Sequence, residues 1–340
     1  MSTMSTLPTA PPTVELHVHV EGTLEPELIV ELAARHGMTL PYRDVDDLRA
    51  RYAFTDLQSF LDLYYANMAV LRTADDFAAM TRAYLHRAAA GGVRHAELFV
   101  DPQAHLARGV DLDAVLAGVG GVLARSEAEF GVSTGLVACF LRDRPVAEAL
   151  EVLEALLARD APIVGIGLDS AELGNPPGAF APVYDRARAA GLHLVAHAGE
   201  EGPADYVREA LDVLGVERID HGIRALDDPG LVRRLVADRV PLTVCPLSNV
   251  RLRAVDTLAD HPLAVMLSLG LRVSVHSDDP AYFGGYVDDC LRAVAGTLGL
   301  DRAALRTLAA NAVDAAFVDP PRRAALHAEV EDWFRGPAGG

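Results

Sequence analysis

His17 and His19, separated by a single valine, head a set of four polar clusters suited to metal-assisted hydrolysis. The other three are His197-Ala198-Gly199-Glu200, Asp220-His221-Gly222 and Ser277-Asp278-Asp279-Pro280. Each ends an apolar run that reads as a strand, and residues two apart on a strand face the same way. Both imidazoles of the first cluster can therefore address one ion from a rigid element. Histidines with a carboxylate form a zinc-type site that keeps one position for water, whose pKa the ion lowers from roughly 15.7 to about 7. Zinc is the default for an imidazole-rich set, with iron or manganese as the other metals such ligands take.

Glu200, three residues beyond His197, is placed to move protons, and burial would raise its carboxyl pKa towards neutrality. His221 either binds the ion or orients and deprotonates the attacking water; the supply of other ligands favours the second role. Asp278 and Asp279 are neighbours on a strand and so point in opposite directions, one towards the ion and the other towards the substrate. Asp220 is given no role beyond a hydrogen bond. Singly, each cluster has a bland reading, such as a satisfied core histidine or a solvated acidic turn before Pro280. Their joint placement does not, because in a barrel such strand ends converge on one mouth.

Eight apolar, β-branched runs carry these clusters: Val14–Val20, His95–Val100, Val132–Phe140, Ile163–Asp169, His193–His197, Arg218–His221, Pro241–Cys245 and Arg272–Asp278. Amphipathic segments separate most of them, among them Ala147–Ala158, Ala179–Ala190 and Val207–Leu214. The pattern predicts a (β/α)8 barrel of TIM type as a single domain over residues 14–335, with strands apolar throughout because both faces are buried. The long interval after the first run predicts a helical insertion (Pro26–His36, Leu57–Leu71, Ala74–Ala90) on the catalytic side. Residues 1–13 read as a disordered lead-in, Arg322–Phe334 as a C-terminal helix and Gly336–Gly340 as a frayed end.

The 340 residues carry a net charge of −18 without a long basic run, which argues against nucleic acid and anionic membrane as partners. No stretch reaches the roughly 18 apolar residues of a membrane span, and the Ser/Thr/Pro-rich start lacks the basic and apolar regions of a signal peptide. Three widely spaced cysteines, Cys139, Cys245 and Cys290, suit a reducing cytoplasm and offer no disulfide framework. All 30 cationic side chains are arginine. Schiff-base chemistry, a phosphate-loop lysine and a lysine-bridged metal pair are excluded by that inventory.

Activated water beside a carboxylic acid and a second carboxylate suits an amino-substituted heteroaromatic ring that loses ammonia. An amide or ester would call for an oxyanion stabiliser, and none stands out. The segments Glu-Leu-His-Val-His-Val-Glu-Gly (15–22), His-Ala-Gly-Glu (197–200), Asp-His-Gly (220–222), Cys-Pro-Leu-Ser-Asn (245–249) and Ser-Asp-Asp-Pro (277–280) resemble motifs of the adenosine/adenine deaminase family in the amidohydrolase superfamily. The resemblance runs from Val14 to Val318. It implies the barrel and one zinc ion per subunit held by His17, His19, His197 and Asp278. It also implies a proton from Glu200 to N1 of a 6-aminopurine, water oriented by His221 and N7 held by Asp279.

Gly-Thr-Leu-Glu-Pro-Glu (22–27), Phe-Val-Asp-Pro-Gln (99–103) and Leu-Asp-Ser-Ala-Glu-Leu-Gly (168–174) look closest to the bacterial adenine deaminase-like subgroup. There Ser170, Glu172 and Gly174 would read the far edge of the purine, Glu172 accepting the N9–H of a free base. Ala171 and His276 depart from the subgroup's serine and asparagine, which leaves adenine, adenosine and 6-amino-6-deoxyfutalosine open as substrates. A different mononuclear amidohydrolase and an inactive, ligand-binding barrel are the remaining readings.

Overall fold

The apolar runs fold into one parallel sheet that curls back on itself. This computed structural model describes residues 11–336. Its strands are β1 (Thr13–His19), β2 (Val93–Val100), β3 (Ser133–Leu141), β4 (Gly165–Asp169), β5 (His193–Ala198), β6 (Arg218–His221), β7 (Pro241–Val244) and β8 (Arg272–Val275). They neighbour one another in sequence order, every pair parallel, and a bridge from Val18 to Asp278 brings the end of β8 back to β1. Helices lie between the strands, as a (β/α)8 barrel requires. Of the expected lead-in, residues 1–10 lie outside the described residues. Thr13 corrects its boundary: it is buried and already the first residue of β1.

Alternation explains why these strands read as continuously apolar. Phe99 of β2, Val137 and Cys139 of β3 and Val195 of β5 fill the barrel interior. Leu98 and Val100 join the core under the insertion, while Ala138, Phe140 and Ala196 pack against the outer helices. Deeper in the barrel, Arg218 donates to Glu97 at 2.6 Å with both side chains fully buried. Leaving one of these charges without the other would cost about 3–5 kcal/mol.

The insertion after β1 contains α1 (Pro26–Arg35), α2 (Val45–Ala50), α3 (Leu57–Asn67) and α4 (Ala74–Ala90). α2 was not expected: its six residues bury only Leu48, too little to show a period, and its one local signal is the Asp44 cap on Asp47 N–H. α3 starts at a capping box of Asp56 and Ser59. Its Leu57, Phe60, Leu61 and Tyr64 recur at helical spacing and cover the mouth of the barrel. At the other end of the chain, the helix Pro320–Arg335 packs Leu326 and Val330 with Val14 and Leu16 of β1. No helix among the described residues is long and apolar enough to cross a membrane.

Candidate active site

Four donors from three strand ends converge beneath α3. His17 Nε2 and His19 Nε2 lie 3.4 and 3.5 Å from Asp278 Oδ1, and His19 Nε2 lies 3.2 Å from His197 Nε2. His221 Nε2 approaches the other oxygen, Asp278 Oδ2, at 3.7 Å. All five side chains are buried, and Phe99 floors them, its ring 5.2 Å from His17 and 5.1 Å from His19. Buried nitrogen lone pairs set this close repel one another unless a cation or proton lies between them. His17 Nε2 has no hydrogen-bond partner at all.

The far side of each ring shows which nitrogen is free. Thr243 Oγ1 donates to Asp220 Oδ1 at 2.7 Å, so it accepts from His17 Nδ1 at 3.0 Å, leaving Nε2 unprotonated. His19 Nδ1 faces Asp169 Oδ2 at 3.5 Å, and His197 Nδ1 faces Asp220 Oδ2 at 3.6 Å. Outer carboxylates of this kind orient metal-binding imidazoles. His221 is held the other way. Leu263 N–H donates to His261 Nδ1 at 3.1 Å, so the proton of neutral His261 sits on Nε2 and goes to Asn249 Oδ1 at 3.2 Å. Burial lowers the His261 pKa to about 4, which keeps that ring neutral. The Asn249 amide group therefore donates, to His221 Nδ1 and to Glu200 Oε1, each at 3.4 Å. His221 then carries its own proton on Nε2, towards the site.

Asp278 and Asp279 do not divide as strand neighbours would. β8 ends at Val275, and Asp278 takes a left-handed φ of 66° beyond it. That turn brings both carboxyls into the same cavity. His221 and Ser170, at φ 65° and 70°, also turn in at their strand ends. Non-glycine residues hold such backbone only where surrounding structure enforces it, at about 1–3 kcal/mol each. Gly22 meets a different demand: a Cβ there would sit 2.0 Å from Asp279 Oδ1 and 2.7 Å from Asp279 Cα. Gly22→Ala must displace Asp279, and kcat/KM is expected to fall about 100-fold in steady-state assays with the metal retained.

The cavity is lined by His19, His197, His221, Asp278 and Asp279 with Asp101, Asp169, Ser170, Glu200 and the α3 face. Burial, Asp278 and Glu172 push the Glu200 carboxyl well above the usual carboxylate range. Burial and Asp278 do the same to Asp279. Burial is the largest influence on Asp278 and opposes its charge, but the surrounding imidazoles of His17, His221 and His19 together hold that pKa well down. Burial lowers His19 to about 4 and His221 to about 3.

Two expected substrate contacts are corrected. Both Glu172 oxygens are engaged by the main chain: Oε1 accepts from Gly199, and Oε2 from Glu200, Glu201 and Gly202, at 2.6–3.0 Å. Glu172 thus fixes the loop that carries Glu200 instead of facing the ligand. Gly174 is exposed, takes φ 84° and has nothing near its Cβ position, as befits a turn outside the cavity. Ser170 does line the cavity, hydrogen-bonded to Tyr65 Oη at 3.0 Å. Asp220, assigned nothing by sequence, serves two histidines at once. The Asp-His-Gly spacing carried a signal for it, since a carboxylate one residue before a site histidine at a strand end lies within reach of its neighbours.

A family model for adenosine deaminase matches residues 12–333. The chain is 60% identical to an adenine deaminase of Streptomyces coelicolor over 96% of each chain. It is 63% identical to the adenine deaminase of Arthrobacter aurescens in its crystal structure, which covers 96% of this chain and 100% of that one with a TM-score of 0.96. A Zn-bound amidohydrolase from Burkholderia ambifaria is 30% identical, with a TM-score of 0.88 over 96% and 91% of the two chains. With its motifs, its barrel and its strand-end cluster in agreement, the chain belongs to the adenosine deaminase family and is a hydrolytic deaminase.

Proposed function

We propose that this enzyme deaminates adenine to the 6-oxopurine and ammonia, with one zinc ion per subunit held by His17, His19, His197 and Asp278. The observation that carries the reading is the tautomer pattern. Three rings turn an unprotonated or anion-backed Nε2 site towards Asp278 Oδ1, whereas Asn249 leaves His221 with a proton on Nε2. The set His17, His197, His221 and Asp278 also lies close enough to hold an ion. A protonated Nε2 cannot ligate, which favours His19 over His221. The bound ion supplies acidification of a water at neutral pH.

The chain's own groups account for the rest of the reaction. Water adds its oxygen to C6, guided by His221, while Glu200 passes its proton to N1. The C6–N bond then breaks: one of the water's two protons leaves with the amino group as ammonia, and the other returns to Glu200. N7 offers only a lone pair in a 9H-purine, so Asp279 meets it as an acid, in accord with its raised pKa. The aromatic and aliphatic face of α3 excludes bulk water. Adenine as substrate rests on the adenine deaminases that the chain is similar to. Three unpaired, buried cysteines accord with a cytoplasmic setting.

The test is an assay of zinc-loaded protein with adenine, adenosine and 6-amino-6-deoxyfutalosine, following ultraviolet change and ammonia. The expected result is one ammonia per adenine with a clear preference for the free base. Preference for either nucleoside, or no turnover of any of the three, would overturn the reading.

A further inference from the structure

Asp101 sits where an aspartate normally caps a helix, and it does not cap. It is the N-cap residue of the helix Pro102–Leu106, yet its side chain takes no backbone N–H. The carboxyl is buried instead in the wall of the active-site cavity, and its Oδ1 has no hydrogen-bond partner. The main chain is fixed independently: Asp101 N–H donates to Glu21 Oε1 at 3.1 Å, and His105 Nε2 holds the same oxygen at 2.7 Å. Asp279 repeats the arrangement at the helix Pro280–Phe283, again an N-cap without a cap and again with an unpartnered cavity oxygen. An unsatisfied buried acceptor is costly unless a ligand completes it. Asp169, beside Asp101, also lines the cavity, its Oδ2 3.5 Å from His19 Nδ1.

The order of strands says which ligand atom Asp101 would meet, given the deaminase reading above. That reading puts N1 at Glu200, after β5, and N7 at Asp279, after β8. Going round the barrel from β5 through β4, β3, β2 and β1 to β8, the polar cavity groups are Glu200, then Ser170 with Asp169, then Asp101, His19 and Asp279. Going round the purine from N1 the long way to N7, the ring nitrogens are N3 and then N9. The two sequences align with N3 beside Ser170 and N9 beside Asp101. We propose that Asp101 accepts the N9–H of the purine and is the residue that restricts this enzyme to the free base. A nucleoside carries carbon at N9, which would leave Asp101 unsatisfied and drive a sugar into the wall formed by Tyr65 and Ser170.

The test compares adenine with 9-methyladenine and adenosine in zinc-loaded wild-type enzyme, Asp101→Ala and the volume-preserving Asp101→Asn, with metal content measured for each. Asp101→Ala is expected to lower kcat/KM for adenine about 10- to 100-fold, mostly through KM, the effect of removing one hydrogen bond to a carboxylate. The preference for adenine over 9-methyladenine should shrink by the same factor. Equal losses on both substrates in both variants would overturn the proposal, since a merely structural role acts on every substrate. Wild-type use of 9-methyladenine as efficient as adenine would also overturn it. So would a second bound ion in the wild type that Asp101→Ala loses. Failure of the wild type to deaminate adenine would instead remove the underlying functional reading.

Discussion

Glu200→Gln is expected to keep its metal and lose at least about 100-fold in kcat, with KM for adenine little changed. Glutamine preserves shape and still accepts from Asn249, but it has no acidic proton to give N1. The pH profile makes the assignment specific. Burial and the charge of Asp278 raise the Glu200 pKa, so in the wild type the proton donor is intact below that raised value. Activity falls as pH rises through it. Glu200→Gln should flatten this alkaline limb. Stability should also fall as pH rises. A carboxyl whose folded pKa is raised binds more protons folded than unfolded, so it lowers stability as pH climbs above its unfolded value near 4.5. Removing the ionisable group should therefore leave Tm at pH 7 unchanged or higher, a site that trades stability for function. Steady-state kinetics across pH, metal analysis and thermal melting check the three parts, and a near-native rate would remove Glu200 from its role.

What the sequence disclosed and what it hid follow from the range of the interactions involved. Strands such as β3 and β5 are legible because both faces are buried, so most residues are apolar whichever way they point. His197, near the end of β5, breaks that run and stands out. Asp278 and Asp279 were located correctly, but their geometry was not. A left-handed residue beyond the end of β8 turns both carboxyls one way, and a strand period cannot foresee that. Glu172 was misread because its partners lie 27–30 residues downstream, on a loop whose backbone N–H groups leave no trace in side-chain type. Asp101 was passed over for the converse reason. An Asp-Pro pair reads as an ordinary helix start, and only the missing cap reveals that its carboxyl serves the cavity.

His17→Ala is expected to abolish turnover through loss of the ion itself. Its effect on metal affinity should exceed the roughly 10- to 100-fold expected from losing an outer partner, as in Asp220→Asn. His17 Nε2 is left free by the Thr243 contact and is a buried donor with no other partner. Without that imidazole the ion loses one of its nitrogen ligands outright, whereas an outer partner only orients one. His19→Ala should behave alike. His221→Gln should not: it removes a group whose proton already occupies Nε2, so zinc content should stay near one per chain while kcat falls. Equilibrium dialysis against a zinc chelator separates these outcomes. Loss of zinc from His221→Gln with retention in His19→Ala would exchange the two residues' roles. It would also mean that the Asn249 amide faces the other way, with its oxygen towards His221 and the proton of that ring on Nδ1.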